Sequence, residues 1–400
     1  MTVQNIAKTF GAACLAVALG CGPSLADEPI LVGLDADFSG PLREVSIAVQ
    51  QGAEAAVHQI NATGGVQGRP IQLIVTDHRS NPRRARDNFD DGHAAGIVAM
   101  VSGAQSTGAL SQLEAAQAAG IPLISAFPGS TKITQNGMEP NPAFRVSARD
   151  SETNAFLVRT ALEEGRGRIA LLIENSRWGA SNDAGAHRAV DASDRGEIVA
   201  TGWFALGGED FETALNEVLA ARPDTILLFG KPPQGVGLLE ALAGQPADAR
   251  PKALMHWGVA QGEAFGQAAA GIEGVDYGVF QTFSFASPHD AQQAAGLLGV
   301  TCRLHEICDA DDARTPSPMA QGYDTVQLIA LGMREVEGGS APTLFDALQA
   351  LPDHRGLIRS YGPAFTPDRR EALDQQDFLL VRYAKGGVPV PVNQLNKAAR

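Results

Sequence analysis

The sequence is short of positive charge. Thirty-one Lys and Arg stand against 45 Asp and Glu, a formal charge of -14. Nucleic-acid phosphates need clustered Lys and Arg, so this balance excludes nucleic acid as a partner. The one dense basic run, Arg79 to Arg86 in RSNPRRAR, gives way to acids from Asp87 and reads as a solvated helix face. No apolar run approaches the roughly 20 residues that span a bilayer. Catalytic signatures are missing as well: there is no G-x-S-x-G elbow, no G-x-x-x-x-G-K-[ST] loop and no H-E-x-x-H helix. The eight histidines are scattered without metal-ligand spacing, and Gly235–Gly237 lacks the further glycines of a dinucleotide loop. No cofactor is expected, and a hydrolytic enzyme stays only as a remote alternative.

Cysteine is scarce and unevenly placed. Of four, Cys14 and Cys21 fall in an N-terminal stretch with Lys8 as its only charge before Asp27. That stretch has an apolar segment from Phe10 to Leu19 and then Ser24-Leu25-Ala26, the small-x-small pattern of a signal peptidase site. Residues 1–26 therefore read as a cleaved signal peptide of an exported protein. Ala18-Leu19-Gly20-Cys21 loosely resembles a lipoprotein site, with Ala in its first position, so lipid anchoring at Cys21 is the weaker reading. The remaining pair, Cys302 and Cys308, is expected to form a disulfide in an oxidising compartment. A metal reading through His305 and Asp309 has no second ligand group behind it.

What is present is alternation. Apolar strand-like runs recur at ILVGLDA, IQLIVTD, GIVAMV, IPLIS, RIALLIEN, EIVATGWFAL, TILLFG and KALMHW. Between them lie amphipathic stretches such as EVSIAVQQGAEAAVHQIN and DFETALNEVLAA. Continuous apolar strands separated by helices imply parallel sheets covered on both faces, and 400 residues suggest two such α/β units. Ligand crevices in these sheets open at the carboxyl ends of strands. At one such junction, Ser102, Gly103, Ser106, Thr107 and Gly108 lead from a strand into a helix, where free backbone N–H groups can meet a polar or anionic ligand.

Several stretches together resemble the Leu/Ile/Val-type periplasmic binding proteins, the type I solute-binding proteins of ABC importers. They are GLDADFSGPLREVSIAVQQGAEAAVHQINATGGVQGRPIQLIVTD, GIPLISAFPGSTKIT, NPAFRVSARDS, IALLIENSRWGAS and QGYDTVQLIALGM. The resemblance implies two doubly wound, Rossmann-like lobes joined by a three-stranded hinge that closes like a flytrap. Lobe 1 would hold residues 28–147 and 284–376, and lobe 2 residues 148–283 and 377–400. It also implies a periplasmic, monomeric protein that passes a small solute to an inner-membrane permease. A sensor subunit feeding a receptor is the alternative.

By the same resemblance, Ser106 and Thr107 stand at the first-lobe ligand loop, and Phe127, Gly129 and Ser130 at the neighbouring loop. Trp178 stands where an aromatic residue packs on the solute. Lys231 and Trp257 occupy positions at which this chain departs from the family, where a Tyr and an acid are common. Without that acid an α-ammonium lacks its usual partner. Asp35, Asp37 and Glu174 are possible substitutes. Lys231 and Arg43 suit an aromatic or apolar carboxylate, or an amide, at least as well as an amino acid.

Overall fold

A computed structural model describes residues 28–394 except 206. The signal peptide, its cleavage site, Cys21 and residues 395–400 of the expected second lobe lie outside the described residues. The first sheet has the order β2-β1-β3-β4-β5 and is parallel throughout. Its strands are β1 (Ile30–Ala36), β2 (Ile71–Asp77), β3 (Ala99–Ser102), β4 (Leu123–Ser125) and β5 (Ala143–Arg145). Helices α1 (Arg43–Ala62), α2 (Pro82–Ala94), α3 (Ser106–Ala119) and α4 (Thr131–Thr134) connect them. Local chemistry sets the helix ends. The Asn81 side chain accepts from the N–H groups of Arg83 and Arg84, with Pro82 in the first turn of α2. Gly64 and Gly65, at φ 96° and 71°, follow the end of α1.

After α5 (Asp150–Glu163) the chain builds the second sheet, ordered β14-β13-β10-β9-β8-β6-β7. Its parallel part comprises β6 (Arg168–Glu174), β7 (Glu197–Phe204), β8 (Thr225–Phe229), β9 (Lys252–Met255) and β10 (Tyr277–Gln281). Helices α6 (Arg177–Asp191), α7 (Phe211–Ala220), α8 (Pro232–Ala243) and α9 (Glu263–Ala270) join these strands. The chain then returns beside α1 as α10 (Ala291–His305) and α11 (Pro316–Glu337), with α12 (Leu344–Leu348) against α11, followed by the small hairpin β11 (His354–Arg355) and β12 (Ser360–Tyr361). It ends in β13 (Leu379–Ala384) and β14 (Val388–Pro391), which rejoin the second sheet.

This ending adds two antiparallel strands to a sheet whose strand–helix–strand part is parallel, as expected. β13 runs antiparallel to β10, and β14 antiparallel to β13. A hairpin through Gly386 and Gly387, at φ 87° and 78°, makes that reversal short. β13 opens apolar as LLV but turns to RYA, and β14 is VPVP with proline at alternate positions, so neither carries an uninterrupted apolar run along its length. Cys302 on α10 is joined to Cys308. His305, between them, lies 3.0 Å from Glu54. Among the described residues no helix is long and apolar enough to cross a membrane.

Helices α1 and α11 pack backbone against backbone. A Cβ on Gly52 would lie 1.9 Å from the Met319 carbonyl, and one on Gly322 would lie 2.2 Å from the Val49 carbonyl. Backbone meets backbone there, so no side chain can swing aside. Gly52→Ala or Gly322→Ala is expected to lower stability by about 1–3 kcal/mol, the usual cost of overpacking, as a lower urea midpoint. An unchanged midpoint would mean that the two helices separate freely.

Candidate functional site

Each sheet gathers loops at the carboxyl ends of adjacent parallel strands, and the two sets face each other. In the first unit these loops follow β1, β3 and β4; in the second they follow β6, β8 and β9.

Ser106 is the first residue of α3, entered through Gln105 at φ 64°. A positive φ is costly for a residue with a Cβ, and side-chain bonds hold this one. Gln105 Nε2 donates to Ser80 Oγ (2.7 Å) and to Asp37 Oδ2 (3.4 Å). The loop therefore rests on the buried Asp37, which also accepts from Ser80 Oγ and the Leu42 N–H. Ser106 Oγ accepts from the Ser130 N–H at 3.2 Å, which ties the two first-unit loops together. Ser130 N–H is thereby engaged, whereas the Ser106 hydroxyl keeps its own proton to donate. Thr107 is exposed, its hydroxyl 3.5 Å from Gln105 Oε1.

Arg145, fully buried, anchors the β4–α4 loop from below. It donates to the carbonyls of Pro128 and Ser130 and to Thr134 Oγ1. Gly129 closes over Asp150, which opens α5. The Asp150 N–H donates to the Gly129 carbonyl (2.8 Å), and a Cβ on Gly129 would lie 2.4 Å from Asp150 Oδ1.

In the second unit Trp178 sits in the first turn of α6, behind a Ser176 cap that accepts from the Gly179 N–H at 3.1 Å. Lys231 caps α8 and places its ammonium 4.8 Å from the centre of the Trp178 ring. His256 meets Trp178 edge-on at 5.1 Å, and Trp257 packs on Phe280 at 5.0 Å. Three loops from neighbouring strands thus make one continuous surface.

The acids are placed differently from one another. Asp35 is buried within the first unit, where it accepts from Thr76, Asn88 and Gln112. Glu174, at the end of β6, is buried with Oε2 unpartnered among the described residues. Arg43 is in solvent beside Glu44 at 2.9 Å. Asp150 has no obvious sequence signal beyond its place in RVSARDS, yet it lies where the units meet. Among the described residues neither carboxylate oxygen has a hydrogen-bond partner of good geometry, and burial pushes the carboxyl up from 3.8 to about 6, against the opposing charge of Arg145 and the nearby Trp178 indole N–H. His256 Nδ1 accepts from the Gly258 N–H (3.3 Å), which leaves the ring proton on Nε2, 3.7 Å from Asp150 Oδ1. Burial, with the Lys231 charge behind it, holds the imidazole down to about 3, so it is neutral. Burial likewise lowers Lys231, against the attraction of Glu174.

The units touch through Phe127 and Trp257. Their rings stack at 4.7 Å and 26°, and both are buried. Phe127, Gly129, Ser106 and Ser130 thus lie on one side of the junction, with Trp178, Lys231 and Trp257 on the other.

Two doubly wound lobes with facing loop edges, linked by three crossings of the chain, are the architecture of a two-lobed solute-binding protein. The chain belongs to the periplasmic binding protein family, whose model matches residues 29–387. A Leu/Ile/Val-binding protein, BraC3 of Rhizobium johnstonii, is 23% identical over 97% of this chain and 99% of its own. A type 1 periplasmic binding protein from Bordetella pertussis superposes with a TM-score of 0.77 at 19% identity, covering 91% of this chain and all of the other. A Rhodopseudomonas palustris solute-binding protein in complex with 4-hydroxybenzoate gives 0.73 at 16% identity, over 91% and 95%. LivJ of Streptococcus pneumoniae, in complex with isoleucine, gives 0.70 at 22%, over 91% and 100%. The structural likenesses establish the fold.

Asp150 and His256 have opposite effects on stability. A carboxyl raised on folding contributes stability that is lost as pH climbs from 3.8 to about 6. An imidazole depressed from 6.5 to about 3 contributes stability that is lost as pH falls through that interval. Relative to the parent, Asp150→Asn should therefore become more stable as pH rises across this range, and His256→Gln less stable. Urea midpoints between about pH 4 and 7 measure both. Variants that track the parent in parallel would contradict the assignment.

Proposed function

We propose that this protein is the substrate-binding component of an ABC-type importer, capturing a small organic solute between its lobes and delivering it to a membrane permease. The observation that carries this reading is the pairing of loop edges: polar groups at Ser106 and Ser130 face the aromatic and cationic surface of Trp178, Lys231 and Trp257 across one junction. A solute touching both edges binds the closed form better than the open form, which is how binding becomes closure.

In this reading lobe 1 comprises residues 28–147 and 284–376, and lobe 2 residues 148–283 and 377–400. The pivots are the segments between β5 and α5, β10 and α10, and β12 and β13. The mature protein works in the periplasm as a monomer after loss of its first 26 residues, and performs no chemistry on its cargo. The Ser106 hydroxyl, already accepting from Ser130, donates its proton to a carboxylate or carbonyl oxygen of the solute.

A thermal-shift screen against amino acids, amides and aromatic acids tests the reading, because a ligand that binds only the native state raises the melting temperature. At least one class should do so. Calorimetry should then show Ser106→Ala weakening that ligand by about 1–3 kcal/mol, the range for losing a charge-assisted or buried partner. No shift from any class would contradict solute capture.

A further inference from the structure

Phe127 and Trp257 are held very differently from ordinary core aromatics. Each projects from a loop at the end of a strand, β4 in one lobe and β9 in the other, and their near-parallel faces meet across the junction. Trp257 is fixed from its own lobe by Phe280 at 5.0 Å and His256 at 5.6 Å. Across the junction Phe127 stacks on the same indole. At 4.7 Å between centroids there is no room for a solute between the rings. Parting the lobes would bare two flat apolar faces that point at each other.

The charge beside these faces is a cation. Lys231 Nζ lies over Trp178, which shares His256 as a neighbour with Trp257. Among the described residues the lysine salt bridges are those of Lys252, so the Lys231 ammonium has no carboxylate within 4.0 Å. Glu174 attracts it without pairing. Asp150, the other buried acid nearby, is packed against the Gly129 backbone and faces the His256 Nε2 proton. Asp150 and Glu174 also carry oxygens without hydrogen-bond partners among the described residues, but both acids are buried, whereas Lys231 is half-buried and within reach of a solute.

We propose that Phe127 and Trp257 form a slot that opens to admit a flat ring, and that the solute is a planar aromatic carboxylate whose charge is met by Lys231. This rests on the solute-capture reading above. The ring replaces the direct Phe127–Trp257 contact with two stacked contacts, each within the range that aromatic pairs favour. A half-buried ammonium with no counter-ion gains a charge-assisted hydrogen bond at the same time.

The test uses the exported, mature protein and calorimetry with four probes: benzoate, benzamide, cyclohexanecarboxylate and isoleucine. Benzoate should bind at least tenfold tighter than cyclohexanecarboxylate, which keeps the charge and loses the flat ring. It should also bind at least tenfold tighter than benzamide, which keeps the ring and loses the charge. Lys231→Met should abolish the benzoate–benzamide difference, and Phe127→Leu should abolish the benzoate–cyclohexanecarboxylate difference. Tryptophan fluorescence should change on benzoate addition as Trp257 changes partner. Trp257 is buried, so the probe comparison in the unaltered protein decides the matter even if its variants misfold. Isoleucine or cyclohexanecarboxylate binding as tightly as benzoate would overturn the aromatic slot and leave solute capture standing. Failure of benzoate to bind while an amide or amino acid does would overturn it in the same way. Silence from every class in the wider screen would remove solute capture itself.

Discussion

A strand can follow another in parallel only if the chain first crosses back over the sheet. That constraint sends every strand-to-helix loop to the same edge. The rest of this molecule depends on it. It brings the loops after β1, β3 and β4 together in one lobe and those after β6, β8 and β9 together in the other. Because three segments connect the lobes, the two edges meet across one cleft. The chemistry on those edges then comes from few residues: a hydroxyl at Ser106, a cation at Lys231 and the rings of Phe127, Trp178 and Trp257.

Charges at the root of the cleft are managed by burial rather than by pairing. Arg145 spends its guanidinium on carbonyls and a threonine, and so fixes the β4–α4 loop that bears Phe127 and Gly129. Asp150 and His256 face each other at 3.7 Å without a hydrogen bond, one pushed up and the other down by the same loss of water. A low-dielectric junction of this kind makes any polar contact within it stronger and any unmet group costlier. Such a site discriminates by what it leaves unmet. Lys231 is half-buried with no carboxylate within 4.0 Å among the described residues, and the buried Asp150 and Glu174 carry unpartnered oxygens beside it.

Much of the fold was legible in the sequence. Continuous runs such as ILVGLDA and RIALLIE are central strands because both faces are covered, and they appear where they were expected. The short β5 and the C-terminal β13 and β14 were not legible. Three residues carry no periodicity, and β13 and the edge strand β14 break their apolar residues with Arg382 and with prolines. At the site, the sequence pointed to the loops but not to their contacts. Nothing in AFPGST or LMHWGVA says that Phe127 will stack on Trp257, since that contact joins residues 130 positions apart from different sheets. Gln105 gave no signal either. Its positive φ is sustained by Asp37 and Ser80, which are distant in sequence. Asp150 stood in a quoted motif, yet its importance lies in being buried without a partner, a property of the assembled lobes.

In a protein that captures its solute as proposed, solute binding and lobe closure are one equilibrium. Spin labels on the exposed positions Thr107 and Arg177, one at each loop edge, report it directly through pulsed electron resonance distances. Without solute, the distribution should include a long-distance component from parted lobes. A saturating solute from the thermal-shift screen should remove that component and leave one narrow, short distance. A distribution that is already narrow and does not change when the solute binds would contradict coupling between binding and closure.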